Sequence, residues 1–214
     1  MQQSSVIDFE ALRRGQTAQE PYPHILASDL VRESAKAPLR TDFPDIPRPG
    51  FFPLSEMRVE GAFDALIRDF SSDEFASILG DKLGMDLIPH PRLITVRKWS
   101  AAQDGRIHND GEAKIATALI YLNEDWASSG QGCFRVLRGE KSFDDYACEA
   151  PPIIGTMIAF RRTDMSWHGH LPFVGERRVV QMAYLRSQAD LERKARRGRW
   201  SLFLKKLNPF GKAA

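Results

Sequence analysis

Cysteine is scarce in this chain: Cys133 and Cys148 are the only two in 214 residues, too few for a disulfide scaffold and without the close pairing of a zinc site. That usage fits a reducing compartment. No apolar run is long enough to cross a bilayer, no unit repeats and no tract is of low complexity, which sets aside membrane spans, solenoids and disordered linkers. The opening Met1-Gln2-Gln3-Ser4-Ser5-Val6 lacks the basic and apolar regions of a secretory leader, so a cytoplasmic protein is expected. What remains is ordinary for one globular domain, with 43% hydrophobic and 27% charged residues and a formal net charge of +2.

Against that plain background one series of polar residues stands out. His108 and Asp110 lie two apart in Arg106-Ile107-His108-Asn109-Asp110; in Ser166-Trp167-His168-Gly169-His170, His168 stands 60 residues after His108, and then comes the pair Arg177-Arg178. In an extended chain alternate side chains share a face, so Arg106, His108 and Asp110 align while Ile107 and Asn109 point the other way. Two imidazoles and one carboxylate on one side of an iron ion leave the other side open, an arrangement found in oxygenases. By the same alternation His168 and His170 face alike, and spacing alone does not choose between them.

The segments around these residues read as strands. Leu93 to Val96, Ile115 to Leu122, Cys133 to Leu137, Ile153 to Phe160 and Arg178 to Leu185 are short, apolar and largely β-branched or aromatic, with Gly, Pro, Asn and Asp in the breaks. Helices are expected earlier. Val59, Phe63, Leu66, Ile67 and Phe70 recur at helical steps, and a second stripe of Phe75, Ile78, Leu79 and Leu83 is bracketed by a capping box at Ser71 and Glu74 and a stop at Gly84. The proline-rich stretch Phe43 to Gly50 reads as a loop, either a lid or a simple connector.

From Pro21 to Leu185 the chain resembles the prolyl 4-hydroxylase-like branch of the 2-oxoglutarate and Fe(II)-dependent dioxygenases. The resemblance rests on motifs in a fixed order: Pro21-Tyr22-Pro23-His24-Ile25-Leu26, His108-Asn109-Asp110, Ala118-Leu119-Ile120-Tyr121-Leu122-Asn123, Gly130-Gln131-Gly132-Cys133-Phe134, Pro151-Pro152-Ile153-Ile154-Gly155 leading to Phe160, Trp167-His168-Gly169, and the arginine pair. It implies a mainly β fold, a double-stranded β-helix (jelly-roll, cupin-like) braced by α-helices, over residues 1–188, with N-terminal helices to about residue 88 and the β core over 89–188. It implies that His108, Asp110 and His168 are the catalytic metal ligands for Fe(II). 2-Oxoglutarate and dioxygen are then co-substrates, and ascorbate is a candidate reductant. The reaction implied is decarboxylation of 2-oxoglutarate to succinate coupled to hydroxylation of a C–H bond in an unidentified substrate, whether a peptide residue, an amino acid, a glycan or a lipid-linked small molecule.

A cation must hold the distal carboxylate of 2-oxoglutarate, and a guanidinium suits it. Tyr184, six residues after Arg178, and the count from Pro172 favour Arg178; the count from Gly175 favours Arg177 as the alternate anchor. Trp99 falls where relatives often place an aromatic beside the co-substrate. His170 reads as a pocket-wall residue, His24 and His90 as structural, and Arg106 and Arg135 as surface ion-pairing residues. Close relatives that act on protein proline often carry a tyrosine where Ile120 stands, so a prolyl substrate does not transfer with the resemblance. The readings from other classes are a non-catalytic β-helix module for binding or membrane association, and a cupin-like metal enzyme that does not use 2-oxoglutarate.

Basic charge is concentrated at the end. From Arg186 onward there are nine Lys or Arg against two Asp or Glu, while the preceding residues carry twenty-one against twenty-six. In residues 189–214, Trp200, Phe203, Leu204 and Leu207 fall on one helical face beside Lys205 and Lys206. Such a segment either docks its apolar face on the domain or meets an anionic membrane or acidic partner at the periphery. Nucleic acid is not expected, since no reading motif accompanies the charge.

Overall fold

Burial along the central strands assigns each side chain to one of two apolar clusters. On the strand Lys114–Tyr121, Leu119 and Tyr121 join a cluster with Phe134, Val136, Ile158, Phe160 and Val179, whereas Ala116, Ala118 and Ile120 join a larger one with Phe63, Phe70 and Phe75. Alternating direction in extended chain is the cause. The first cluster lies between two sheets and the second lies between one sheet and the helices. The structure, a computed structural model, describes residues 5–127 and 130–196.

The strands in chain order are β1 (Gln16–Ala18), β2 (His24–Ala27), β3 (Phe52–Pro53), β4 (Arg92–Ser100), β5 (Lys114–Tyr121), β6 (Phe134–Leu137), β7 (Tyr146–Ala150), β8 (Met157–Arg161), β9 (His168–Gly169) and β10 (Gly175–Leu185). Seven form one antiparallel sheet in the order β1-β2-β8-β5-β10-β4-β3, and β7-β6-β9 form the smaller sheet that faces it. This is the double-stranded β-helix. Helices α1 (Phe9–Arg14), α2 (Glu33–Thr41), α3 (Gly61–Phe70) and α4 (Asp73–Leu83) supply the apolar cover on the outer face of the large sheet.

Most expected elements are present, with shifted limits. The first expected strand runs on to Ser100, and Ile153 to Phe160 is a strand only from Met157, because Gly155 turns the chain at φ +88°. The capping box at Ser71 is corrected by one residue: the Ser72 hydroxyl accepts from the Phe75 amide, while Ser71 donates to the Ile67 carbonyl at the end of α3. Glu74 turns outward to Arg13 instead of back to the cap. Gly84 ends α4 in the left-handed conformation, as expected.

The stretch Phe43 to Gly50 is irregular, as its prolines dictate, but Phe43 and Ile46 are buried in the helix-side core. It is a docked connector. Residues 188–196 are helical, starting behind Ser187, whose hydroxyl accepts from the Asp190 amide. The expected apolar stripe at Trp200 to Leu207 lies outside the described residues. Among those described, no helix is long and apolar enough to cross a membrane.

Candidate active site

Two backbone hydrogen bonds, each 3.0 Å, join His108 and His168 as an isolated antiparallel bridge, and their rings lie 4.3 Å apart. Sixty residues of chain are thereby closed onto one point. His168 extends the small sheet through β9 and sits against Phe134 and Phe160, while His108 stays open to solvent. Asp110 turns inward beside Thr117 of β5. One donor atom from each of His108, Asp110 and His168 lies within 4.8 Å of the others, so the three form a group able to hold a metal ion.

The chemistry of these donors fits such an ion. Nδ1 of His108 is 2.8 Å from the Arg106 carbonyl and Nδ1 of His168 is 2.8 Å from the Ser166 carbonyl. A carbonyl only accepts, so each ring donates through Nδ1 and keeps the lone pair of Nε2 for a metal. Burial pushes His168 down to about 4 even though Asp110 pulls it up, so its imidazole is neutral at neutral pH. Burial works against the Asp110 carboxylate, yet the Lys114 charge, then His168 and hydrogen bonds from Lys114 and Thr117, hold it at about 2. The result is two imidazole nitrogen donors and one anionic oxygen donor, a set that suits Fe(II).

Two residues that the sequence did not single out for function tie this group together. The Asn109 side chain donates to the Thr163 carbonyl and accepts from the Ser166 hydroxyl at 2.6 Å. The residue between two candidate ligands is thus bound to the turn that leads into the third.

Beyond the metal group the space between the sheets carries buried cations. Arg177 is 2% exposed; its Nε donates to the Gly132 carbonyl at 2.8 Å and its Nη2 to the Tyr121 hydroxyl at 3.1 Å. Among the described residues no carboxylate lies within ion-pair distance of it. Arg178 projects from the opposite face of β10. There its Nε meets Glu176 at 2.6 Å, its Nη1 meets the Arg40 carbonyl of α2, and its guanidinium lies over Phe43. Both arginines lie within a bulge between Glu176 and Val179. Tyr184 does share a face with Arg178, but that face packs under the helices.

Other predicted positions fall as follows. Trp99 is half-buried near the end of β4, opposite Glu176. His170 is buried, and burial followed by the Arg177 charge pushes it down to about 3; its ring packs on Gly105, which has φ +80°. Ile120 points into the helix-side core, so its identity does not bear on the space between the sheets. Arg135 is buried, with its Nε 2.6 Å from Glu149, so it is not the surface residue expected; Arg106 is exposed. His24 is buried with Nδ1 at the Tyr22 carbonyl, and His90 meets the Leu185 carbonyl, both structural contacts.

The model of the 2OG-Fe(II) oxygenase superfamily matches residues 95–186, which contain all three candidate ligands and both arginines. Over that stretch the chain is similar to the superfamily. No curated protein matches the sequence. Among solved structures, the oxygenase is similar to a prolyl-4-hydroxylase from Pseudomonas putida, at 17% identity and a TM-score of 0.54, covering 77% of this chain and 92% of that one. A prolyl 4-hydroxylase from Phytophthora capsici matches at 17% identity and 0.54, over 96% and 77% of the two chains. HygX from Streptomyces hygroscopicus, solved with iron bound, matches at 13% and 0.53, over 77% and 82%. At these identities the structural likeness establishes the shared fold, and the superfamily match makes the protein an enzyme that uses Fe(II) and 2-oxoglutarate.

Proposed function

We propose that the oxygenase hydroxylates its substrate at a metal held by His108, Asp110 and His168, with Arg177, and not Arg178, receiving the distal carboxylate of 2-oxoglutarate. The iron supplies oxygen activation linked to decarboxylation of the keto acid. The chain's own groups do the positioning. Arg177 carries this reading: it is a buried guanidinium on the inner face of the barrel with no carboxylate of the described residues within ion-pair distance, and an unpaired buried charge is stable only with a partner. Tyr121 helps by fixing one guanidinium nitrogen through its hydroxyl, and solvent access at His108 leaves the metal position open to substrate.

Under anaerobic conditions, Fe(II) and 2-oxoglutarate should give a visible charge-transfer band with the wild-type protein, and His108→Ala should abolish it. Arg177→Met should weaken 2-oxoglutarate binding by about tenfold or more, the value of a charge-assisted pair, with Arg178→Met unchanged. The reverse ranking of the two arginines would reassign the anchor, and a wild type without a band would end the reading.

Cys133 and Cys148 are free thiols that burial pushes above their usual pKa, which fits a cytoplasmic place of work. For the basic segment 189–214 the two readings are contact with the domain and a role at an acidic surface of the membrane periphery. Equal co-sedimentation with anionic liposomes by the full chain and by residues 1–188 would dismiss that role.

A further inference from the structure

Arg97 is a second buried guanidinium of the inner face, and sequence reasoning passed over it because the expected strand stopped at Val96. It is 7% exposed, its guanidinium stacks 4.2 Å from the centre of the Phe51 ring, Nη2 lies 3.2 Å from an Asp104 carboxylate oxygen, and Nη1 reaches the Ser100 hydroxyl at 3.4 Å. Its Nε is buried without a hydrogen-bond partner. Strand register places it in the anchor layer. Val179 of β10 pairs with Arg97 on one side and with Tyr121 on the other, so Arg97 and Tyr121 face the same space across one strand. Tyr121 in turn accepts from Arg177.

The charge count of this layer is uneven. Arg97 and Arg177 are both cationic, and Asp104 is the carboxylate that meets Arg97. Burial pushes Arg97 down to about 10, with Asp104 resisting and the Arg177 charge adding to the push, so the two cations oppose each other across the layer. One more negative charge balances it. The distal carboxylate of 2-oxoglutarate brings one charge and two oxygens, enough to accept from both guanidiniums. A charged group of the substrate beside it would overshoot the balance, which decides in favour of the co-substrate.

Resting on the assignment of Arg177 above, we propose that Arg97 is the second cation of the co-substrate anchor, sharing the distal carboxylate of 2-oxoglutarate with Arg177 while Asp104 holds its other edge. The anchor is then a pair of guanidiniums, and it selects a dicarboxylic keto acid over a monocarboxylic one.

The test is anaerobic calorimetric titration of the nickel-loaded protein with 2-oxoglutarate and with 2-oxobutanoate, which keeps the metal-chelating end and lacks the distal carboxylate. Arg97→Gln should weaken 2-oxoglutarate binding by about tenfold and leave 2-oxobutanoate unchanged, with Arg97→Lys in between. Asp104→Asn removes the competing anion and should tighten 2-oxoglutarate. Equal losses for both keto acids in Arg97→Gln, no loss for 2-oxoglutarate, or weaker binding in Asp104→Asn would each overturn the proposal. If Arg177→Gln alone loses 2-oxoglutarate, the anchor stands and the second cation falls; if neither variant discriminates between the ligands, both assignments fall.

Discussion

Lys114 and Asp110, four residues apart, form an ion pair screened from water: Nζ and Oδ1 are 2.6 Å apart and the side chains are 15% and 5% exposed. Thr117 takes the other carboxylate oxygen at 2.6 Å. The candidate metal ligand is thus fully engaged by the protein itself, with a cation already beside it.

Removing that cation separates stability from metal binding. Lys114→Met leaves Asp110 buried with only the Thr117 hydroxyl, and breaking a buried pair costs about 3 kcal/mol or more. The loss should appear in urea unfolding of metal-free protein and shrink when Mn(II) is added, since the bound ion restores a positive partner and stabilises the folded state. A deficit of the same size with and without Mn(II) would count against the placement of the metal at Asp110.

Gly105→Ala should damage the site from a distance. At φ +80° an alanine is strained, and its Cβ would lie 2.3 Å from the His170 ring, so the loop that leads into His108 must move. The expected outcome is a destabilisation of about 2 kcal/mol together with weaker Mn(II) affinity, read by calorimetry. Retained affinity in a destabilised protein would show that the loop does not position His108.

Acid should weaken the metal-free fold through its buried histidines. His170 titrates near 3 in the folded chain and His168 near 4, against 6.5 for an ordinary histidine, so at intermediate pH the unfolded chain binds protons that the folded one does not. Stability therefore falls as pH drops below about 6.5, by at most about 1.4 kcal/mol per pH unit for each ring. His170→Gln removes one contribution, and urea midpoints between about pH 7 and pH 4 should follow a shallower slope. An unchanged slope would mean that His170 protonates as easily folded as unfolded.

The helix cap gives a prediction independent of the site. Ser72→Ala should cost about 1 kcal/mol by freeing the Phe75 amide. Ser71→Ala, which removes one bond to the Ile67 carbonyl, should cost less in the same unfolding experiment. The opposite order would return the cap to Ser71.

What the sequence disclosed depended on whether periodicity or registry was needed. His108 and Asp110 were legible because ligand types at strand spacing announce themselves, His168 was told from His170 only by the family resemblance, and α3 and α4 were legible because their stripes repeat at helical steps. Alternation says which residues share a face, but not which face becomes the interior. Tyr184 and Arg178 were correctly read as sharing a side, and that side packs on helices. The bulge at Glu176 to Val179 has no local signature, and β9 is two residues whose strand character comes from pairing with β6. Arg97 was hidden because a charged residue at the end of an apolar run reads as the strand's exit.

That bulge has a consequence for how the chain tolerates change. Side chains in a strand alternate with a period of two, so a one-residue slip at Glu176 to Val179 exchanges inward for outward. In most sequences such a slip would carry the single cation out of the pocket and bring an apolar residue in. Here Arg177 and Arg178 are neighbours, so whichever register the strand takes, a guanidinium enters. The tandem keeps a guanidinium on the inward side after a one-residue slip at this irregular point of the longest strand.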